Sequence, residues 1–271
     1  MVGASRSIHA GIRTLPDHAH ICRACRDGTA FETPFSMAFQ PIIDRDRNAV
    51  FAYEALVRGP AGEGAGSVLG TVDDKNRYAF DQAARVRAIE LAAQLDLPRK
   101  AENVSINFLP NAVYTPEACI RTTLETANRV NFPIDAIIFE LTEGEAVADA
   151  AHLTRIVESY RKMGFKTAID DFGAGYSGLN LLARSQPDIV KLDMELVRDL
   201  DTIHTKRVIV AGIVRICEEL GITVIGEGIE TAGESAALQD LGVSLQQGYF
   251  FARPGFEALP DPVFAAEAAC A

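Results

Sequence analysis

The sequence predicts an α/β fold, a TIM-like (β/α)8 barrel whose first two strands run antiparallel. Apolar runs of strand length occur eight times, helical patterns separate most of them, and only six residues join the first two runs. The 271 residues suit one such barrel, which typically needs about 250 residues. We expect the barrel over 35–262, an N-terminal tail or short irregular segment over 1–34, and a C-terminal tail over 263–271.

The predicted strands are rich in Ile, Val and Phe and almost continuously apolar, as strands covered on both faces are. They span 35–43, 50–58, 104–109, 137–142, 166–172, 189–194, 223–229 and 247–252. The first two are linked by DRDRN and one further residue (44–49), which is too short for a parallel crossover of a dozen or more residues. This pair is therefore predicted to be an antiparallel hairpin. An open doubly wound sheet is the alternative, and the absence of a glycine-rich phosphate loop after an early strand disfavours it.

Helices are predicted between the strands, most clearly over 203–220 and 74–95. The helix over 203–220 carries an apolar stripe, formed by Ile209, Ile213, Ile216 and Leu220. In the helix over 74–95, Asp81 and Arg85 stand four residues apart, the spacing of an ion pair on a helix surface. We expect that pair to be solvent-exposed.

Composition restricts the class of protein. The net charge of −11 disfavours nucleic-acid binding, which needs a basic surface. No apolar run is long enough for a transmembrane helix, and the N-terminus lacks a signal-peptide pattern, so we expect a cytoplasmic protein with no membrane partner. Five scattered cysteines argue against a disulfide framework.

The N-terminal stretch contains two histidines and two cysteines close together, at His18, His20, Cys22 and Cys25. These residue types are zinc ligands. A single CxxC motif is a weak indication, and the alternative is that these are ordinary tail residues.

Polar side chains interrupt the apolar strands at corresponding places. They are Glu54, Asn107, Glu140, Glu143, Asp170, Asp171, Lys191, Asp193, Glu227, Glu230 and Gln247. The carboxyl ends of barrel strands converge on one mouth, where active sites form. Several carboxylates facing one cavity repel each other, and divalent cations such as Mg²⁺ or Mn²⁺, which prefer oxygen ligands, would remove that repulsion. The adjacent Asp170 and Asp171 suit two metal ions about 4 Å apart, so the residues alone predict a two-metal hydrolase of a phosphate ester.

The motifs resemble those of the EAL-domain family of cyclic di-GMP phosphodiesterases. The matching segments are EALVR (54–58), NFLP (107–110), ELTE (140–143), DDFGAGYSGL (170–179), PDIVKLD (187–193), EGIET (227–231) and QGYFFARP (247–254). They cover about residues 35 to 260 in the expected order. The family fold has an antiparallel first strand pair, in agreement with the hairpin predicted above. Departures from the common pattern are small, and none removes a metal ligand.

The resemblance implies a role for each matching residue. Glu54, Asn107, Glu140 and Asp170 match metal ligands, and Asp171 matches a ligand of the second metal. Lys191 matches a residue that holds the nucleophilic water and the phosphate, and Glu227 matches a metal ligand or general base. Arg58 and Gln247 match substrate contacts, while Glu143 matches the anchor of the loop over 172–179. Whether Asp171 or Glu227 takes the proton of the water stays open, and Asp193 suits either a structural ion pair with Lys191 or a catalytic role.

The implied function is hydrolysis of cyclic di-GMP to linear pGpG with two Mg²⁺ or Mn²⁺ ions per active site, in a protein that forms a homodimer. One alternative is a catalytically silent cyclic di-GMP receptor. Another is an output module controlled by a regulatory protein partner. The full set of acidic groups favours the enzyme, because members of the family that only bind cyclic di-GMP usually lack one or more of them.

Overall fold

The computed structural model describes residues 30–113, 115–142, 150–175 and 178–264. The strands are β1 (Ser36–Asp44), β2 (Ala49–Arg58), β3 (Asn103–Asn107), β4 (Ile137–Thr142), β5 (Lys166–Phe172), β6 (Ile189–Leu192), β7 (Thr223–Gly226), β8 (Leu245–Gln247) and β9 (Gly255–Phe256). The α-helices are α1 (Gly66–Leu69), α2 (Arg77–Gln94), α3 (Pro116–Cys119), α4 (Arg121–Arg129), α5 (Ala150–Met163), α6 (Gly178–Arg184), α7 (Met194–Val197), α8 (His204–Leu220) and α9 (Ala232–Asp240). Short 3-10 helices span Leu97–Arg99, Pro110–Ala112 and Ile134–Ala136.

Strands β1 to β8 close into a barrel with helices around it, so the predicted fold class is confirmed. β1 pairs antiparallel with β2 and with β8, whereas the neighbouring pairs from β2 to β8 are parallel. The short strand β9 adds to β1 beyond the barrel. The hairpin predicted from the short linker is therefore present.

The inside of the barrel is divided into an apolar layer and a polar layer. The apolar layer consists of Ile42, Ala52, Ile138, Ala168, Ile189, Ile225 and Leu245. Since side chains two residues apart in a strand share a face, the residues two positions further along β2, β4, β5, β6 and β8, and the residue just after β7, also point inward. Those residues are Glu54, Glu140, Asp170, Lys191, Glu227 and Gln247. The apolar layer thus closes the bottom of the cavity in which the polar groups meet, and a larger apolar cluster fills the space between the sheet and the helices.

The last barrel strand lies earlier in the chain than predicted. β8 spans Leu245–Gln247 and not 247–252, so Gln247 ends the strand at the mouth and does not open it. The strand stops where Gly248 lies directly against Ile229, so closely that a Cβ atom on Gly248 would overlap the Ile229 backbone. The following Tyr249 is half-exposed and Phe251 is buried.

The apolar stripe predicted for the helix over 203–220 is not the face that α8 buries. Three of the four stripe residues of α8 point outward, with Ile209, Ile216 and Leu220 between 41% and 47% exposed, whereas Ile213 packs partly buried against the core. The buried side of the helix is formed by Val210, Val214 and Cys217. No helix in the described part of the chain is both long and apolar enough to cross a membrane.

The prediction that Asp81 and Arg85 form a solvent-exposed pair on α2 is wrong. Asp81 and Arg85 do form an ion pair, at 2.6 Å, but both side chains are at most 1% exposed. Spacing along a helix does not tell which face is covered, and α2 turns this face toward β3 and the 3-10 helix after it.

Candidate active site

The ammonium group of Lys191 lies at the centre of the polar layer. Its side chain is 1% exposed. Four carboxylate oxygens lie within 3.3 Å of its Nζ atom: Glu227 Oε1 at 2.8 Å, Glu140 Oε2 and Asp170 Oδ1 at 2.9 Å, and Glu54 Oε2 at 3.3 Å. These carboxylates come from different strands, as predicted for the mouth of the barrel. One positive charge faces four acidic groups, so the site attracts further cations.

Burial and mutual repulsion change the pKa values of these groups. Burial, together with the charges of Glu54 and Asp170, raises the pKa of Glu140 to about 8, although Lys191 acts in the opposite direction. The pKa of Glu227 is raised well above its usual range, again mainly by burial. Burial alone would lower the pKa of Lys191, but the surrounding carboxylates raise it well above its usual value. Lys191 is therefore a permanent cation here, while part of the carboxylate set holds protons near neutral pH.

Neutral side chains orient the carboxylates. Asn107 Nδ2 donates to Glu54 Oε1 at 3.1 Å, and Gln247 Nε2 donates to Glu54 Oε2 at 2.7 Å. Ser105 Oγ donates to Glu140 Oε1 at 2.5 Å. The amide oxygen of Asn107 remains available as a ligand, since its nitrogen is the atom engaged with Glu54.

Sequence reasoning missed two of these contributors, Ser105 and Gln40. Ser105 stands two residues before Asn107 in β3 and so shares its face. Gln40 pairs with Glu54 in the hairpin register, and its Oε1 accepts from Gln247 Nε2 at 3.3 Å. The alternation of side chains along β3 indicated Ser105, and the predicted hairpin indicated Gln40.

A bulge in β5 explains how two consecutive aspartates reach the same site. Successive side chains of a regular strand point to opposite faces, but the pairing of β5 with β6 shifts register between Ile169 and Phe172. Asp171 has a φ of +54°, a left-handed conformation that is strained for a residue with a Cβ atom. Such strain is typical of functional sites, and the bulge turns Asp171 toward Asp170 instead of away from it.

The acidic groups form two adjacent sets, each suited to a cation. One set is Glu54, Glu140 and Asp170, and the other is Asp170, Asp171 and Glu227; within each set, one ligand atom per residue lies within 4.8 Å of the others. Asp170 belongs to both sets. Its Oδ1 atom is buried, and its partner in the described part of the chain is the Lys191 ammonium group at 2.9 Å. A carboxylate shared between two acidic sets fits a pair of hard, oxygen-seeking ions.

A cavity of about 280 Å³ opens above these groups. Its lining includes Gln40, Glu54, Asp171, Asp193, Met194, Glu227, Glu230, Gln247 and Tyr249. Asp193 does not pair with Lys191; its Oδ1 atom accepts from the backbone nitrogen of Glu195 at 2.8 Å and caps α7.

Three groups of predicted site residues are not brought to this cavity by the described structure. Arg58 is absent from the cavity lining, and its Nη1 atom donates to the carbonyl of Val57 at 2.8 Å. Glu143 lies outside the described residues, as do positions 176 and 177 of the loop that it was predicted to anchor. The proposed zinc ligands His18, His20, Cys22 and Cys25 also lie outside them.

Asp171 gives the site a testable pH dependence. Burial, with the charges of Asp170 and Asp193, raises the pKa of Asp171 from 3.8 to about 6. The folded state thus holds a proton that the unfolded state has released between about pH 4 and 6, so ionisation of Asp171 lowers stability as the pH rises through this window. We expect Asp171→Asn, in the presence of chelator, to be more stable than the wild type at pH 7 and equal to it near pH 4. Thermal unfolding at several pH values measures this, and a difference that does not depend on pH would contradict it.

Solved structures of similar proteins share this barrel. A standalone versatile EAL protein from Vibrio cholerae O395, solved with c-di-GMP bound, is 52% identical with a TM-score of 0.83, covering 86% of this chain and 98% of that one. BlrP1 from Klebsiella pneumoniae, solved with cy-diGMP and calcium or manganese, is 38% identical with a TM-score of 0.79, covering 85% of this chain and 59% of that one.

Curated proteins are also similar to this chain in sequence. The blue light- and temperature-regulated antirepressor BluF of Escherichia coli K12 is 30% identical over 83% of this chain and 55% of its own length. The probable cyclic di-GMP phosphodiesterase PdeA of the same organism is 29% identical over 77% of this chain and 31% of its own length. The chain therefore spans about half or less of these relatives. The sequence model of the EAL domain matches residues 29–254.

Proposed function

This chain belongs to the EAL domain family, and we propose that it is a metal-dependent phosphodiesterase that hydrolyses cyclic di-GMP to linear pGpG. One observation carries the proposal: two acidic sets that share Asp170 meet in the barrel mouth beside the ammonium group of Lys191. This arrangement suits the binding of metal ions and of a phosphate group. The proposal is also supported by the relatives named above, which were solved with cyclic di-GMP or are named for its hydrolysis.

Glu54, Asn107, Glu140 and Asp170 would hold one ion, and Asp171 would hold the second together with Asp170. Ions such as Mg²⁺ or Mn²⁺ supply Lewis acidity toward phosphate oxygens and acidify a nearby water. Gln247 fixes the orientation of Glu54 through its 2.7 Å hydrogen bond and lines the cavity, where it would contact the nucleotide. Arg58 would contact the nucleotide through guanidinium N–H groups other than the one that donates to Val57.

Lys191 would stabilise the negative charge that develops on the phosphate oxygens, since a preorganised cation in a buried site acts strongly on such charge. Glu227 is the carboxylate nearest to the Lys191 ammonium and has a raised pKa. A raised pKa makes a carboxylate a stronger base when it is ionised, so Glu227 would be suited to take the proton from the attacking water if bound metal ions keep it ionised. Asp171, with a pKa of about 6, is the other candidate.

The decisive experiment incubates the purified chain with cyclic di-GMP and Mg²⁺ or Mn²⁺, with and without chelator, and follows pGpG by chromatography. We expect turnover with either metal and none with chelator. No turnover with any metal, together with tight nucleotide binding in a calorimeter, would contradict the proposal.

Tight nucleotide binding without turnover would support a cyclic di-GMP receptor that signals through a partner. The observation in favour of this alternative is that one of the relatives is named an antirepressor. A regulatory protein partner and a cytoplasmic location also stay predictions.

We also propose that the chain forms a homodimer through the outward apolar stripe of α8. Ile209 and Ile213 line a cavity of about 540 Å³ together with Gly173, Gly175 and Leu179, which lie in and after the loop that follows Asp171. The stripe thus lies beside this cavity, and a two-fold pairing of α8 with its copy would cover both.

The dimer is tested by changing Ile216, which is 41% exposed, to glutamate. We expect a shift from dimer to monomer in sedimentation velocity, because a charge in the middle of an apolar interface opposes association. Arg215→Ser is the control, since Arg215 is 81% exposed on the same helix and lies outside the stripe. An Ile216→Glu protein that sediments like the wild type would contradict the proposed interface.

A further inference from the structure

A buried ion pair lies directly behind the barrel wall that carries two of the proposed metal ligands. Asp81 Oδ2 and Arg85 Nη2, both on α2, are 2.6 Å apart, and neither side chain is more than 1% exposed. The proposed function assigns no role to this pair, because it lies on the helix side of the sheet and not in the cavity.

The guanidinium group of Arg85 lies against two aromatic rings. Its Cζ atom is 5.4 Å from the centre of the Phe108 ring and 5.2 Å from that of Phe139. Its Nη1 atom donates to Tyr160 Oη at 3.2 Å. Phe108 directly follows Asn107, and Phe139 directly precedes Glu140. Arg85 therefore touches the immediate chain neighbours of two proposed metal ligands that point to the opposite face.

Asp81 holds the corner at the end of β3. Its Oδ1 atom accepts from the backbone nitrogen of Leu109 at 2.9 Å. One residue earlier, the backbone nitrogen of Phe108 donates to the carbonyl of Glu140 at 2.9 Å. The backbone that follows Asn107 is thus fixed to α2 on one side and to β4 on the other.

The pair is a poor device for stability. Replacing a buried ion pair by apolar residues of similar size is often neutral or stabilising, because the cost of removing charges from water offsets their attraction. Here the cost is increased, since Arg85 Nε has no hydrogen-bond partner in the described structure. In contrast, the hydrogen bond from Leu109 uses the Asp81 carboxylate as its acceptor. The contact with the two rings is made by the Arg85 guanidinium group.

We propose that Asp81 and Arg85 are positioning residues that set the direction of Asn107, and with it the Glu54 carboxylate to which Asn107 donates at 3.1 Å. This inference rests on the proposed function for the identity of the ligands. The pair acts through the backbone at Leu109 and through the rings of Phe108 and Phe139.

The test is the double variant Asp81→Leu/Arg85→Met, which replaces the pair by apolar side chains. We expect a melting temperature equal to or above that of the wild type. The Leu109 amide should exchange at least about tenfold faster, and the affinity for Mn²⁺, titrated without nucleotide, should fall about 10- to 100-fold, as it does when residues that orient metal ligands are changed. The control amide is that of Glu227, which lies on the other side of the barrel and donates to the carbonyl of Leu192. Its exchange should be unchanged.

The matched control is Arg215→Met/Glu219→Leu, which removes an exposed pair of the same spacing on α8 and should change none of these values. If the double variant does not fold, Tyr160→Phe removes the hydroxyl held by Arg85 and leaves the ion pair in place; faster Leu109 exchange and weaker Mn²⁺ binding are again expected. Unchanged exchange or unchanged Mn²⁺ affinity in the folded variant would overturn the inference, as would a wild type that binds no Mn²⁺. Neither measurement needs turnover, so a wild type that binds Mn²⁺ without hydrolysing cyclic di-GMP refutes the proposed function alone.

Discussion

Replacement of Glu54 by glutamine is expected to lower kcat/KM for cyclic di-GMP by more than about 100-fold. Changes to residues that merely orient metal ligands typically cost 10- to 100-fold, and Glu54 is a proposed ligand itself. It also receives hydrogen bonds from Asn107 and Gln247. Glutamine keeps the size of the side chain but offers one oxygen in place of two, so both the charge and one acceptor are lost.

The experiment measures pGpG formation over a range of Mn²⁺ concentrations and the melting temperature of the same samples. Glu102→Gln is the control, because Glu102 carries the same charge on an exposed ion pair with Arg47. A Glu54→Gln protein that retains the wild-type rate would refute the assignment of Glu54 as a ligand. A rate that recovers fully at high Mn²⁺ would place its effect on metal binding alone.

Replacement of Lys191 by methionine is expected to reduce both activity and stability. Removing one partner of a buried ion pair costs about 3–5 kcal/mol, since the remaining charge is left uncompensated, and Lys191 faces four carboxylates. In chelator, we expect the free energy of unfolding to fall by about this amount at pH 8. The loss should be smaller at pH 5, because carboxylates that take up protons no longer repel each other. Turnover should fall by about 100-fold or more, the effect of losing a preorganised charge-stabilising group.

Urea denaturation with and without Mn²⁺ distinguishes the two effects. We expect Mn²⁺ to stabilise Lys191→Met more than it stabilises the wild type, because the ion replaces part of the missing positive charge, while turnover stays low. Lys166→Met is the control: Lys166 is the first residue of β5 and donates to Asn103 Oδ1 at the opposite end of the barrel. A Lys191→Met protein with wild-type stability in chelator would contradict the electrostatic description of the site.

The barrel and most of its mouth could be predicted because strand chemistry is local. Runs of Val, Ile and Phe predicted the first seven strands to within a few residues but misplaced the last one, and the length of one linker predicted the hairpin. Inward-pointing residues two positions beyond the apolar layer could be identified from alternation alone, as Glu54 and Lys191 illustrate. The resemblance to a family assigned roles that no spacing rule provides, and those roles stay predictions.

What could not be predicted depends on contacts between distant segments. β8 ends where Gly248 approaches the backbone of Ile229, and no local pattern encodes this contact. Asp81 and Arg85 have the spacing of a surface pair, but α2 covers them. The apolar stripe of α8 predicted a helix correctly, yet the buried side is formed by Val210, Val214 and Cys217. A helix with apolar residues on two sides does not reveal which side meets the barrel.

The antiparallel closure of the barrel has a consequence for synthesis on the ribosome. β1 pairs with β8, and Gln247 at the end of β8 donates to Glu54, 193 residues earlier in the sequence. Until β8 has left the exit tunnel, one edge of β1 has no strand to pair with, and unpaired edges favour association with other chains. The nascent chain therefore carries an aggregation-prone edge for most of its translation, and a chain stopped before Leu245 lacks both the seam of the barrel and the amide that orients Glu54.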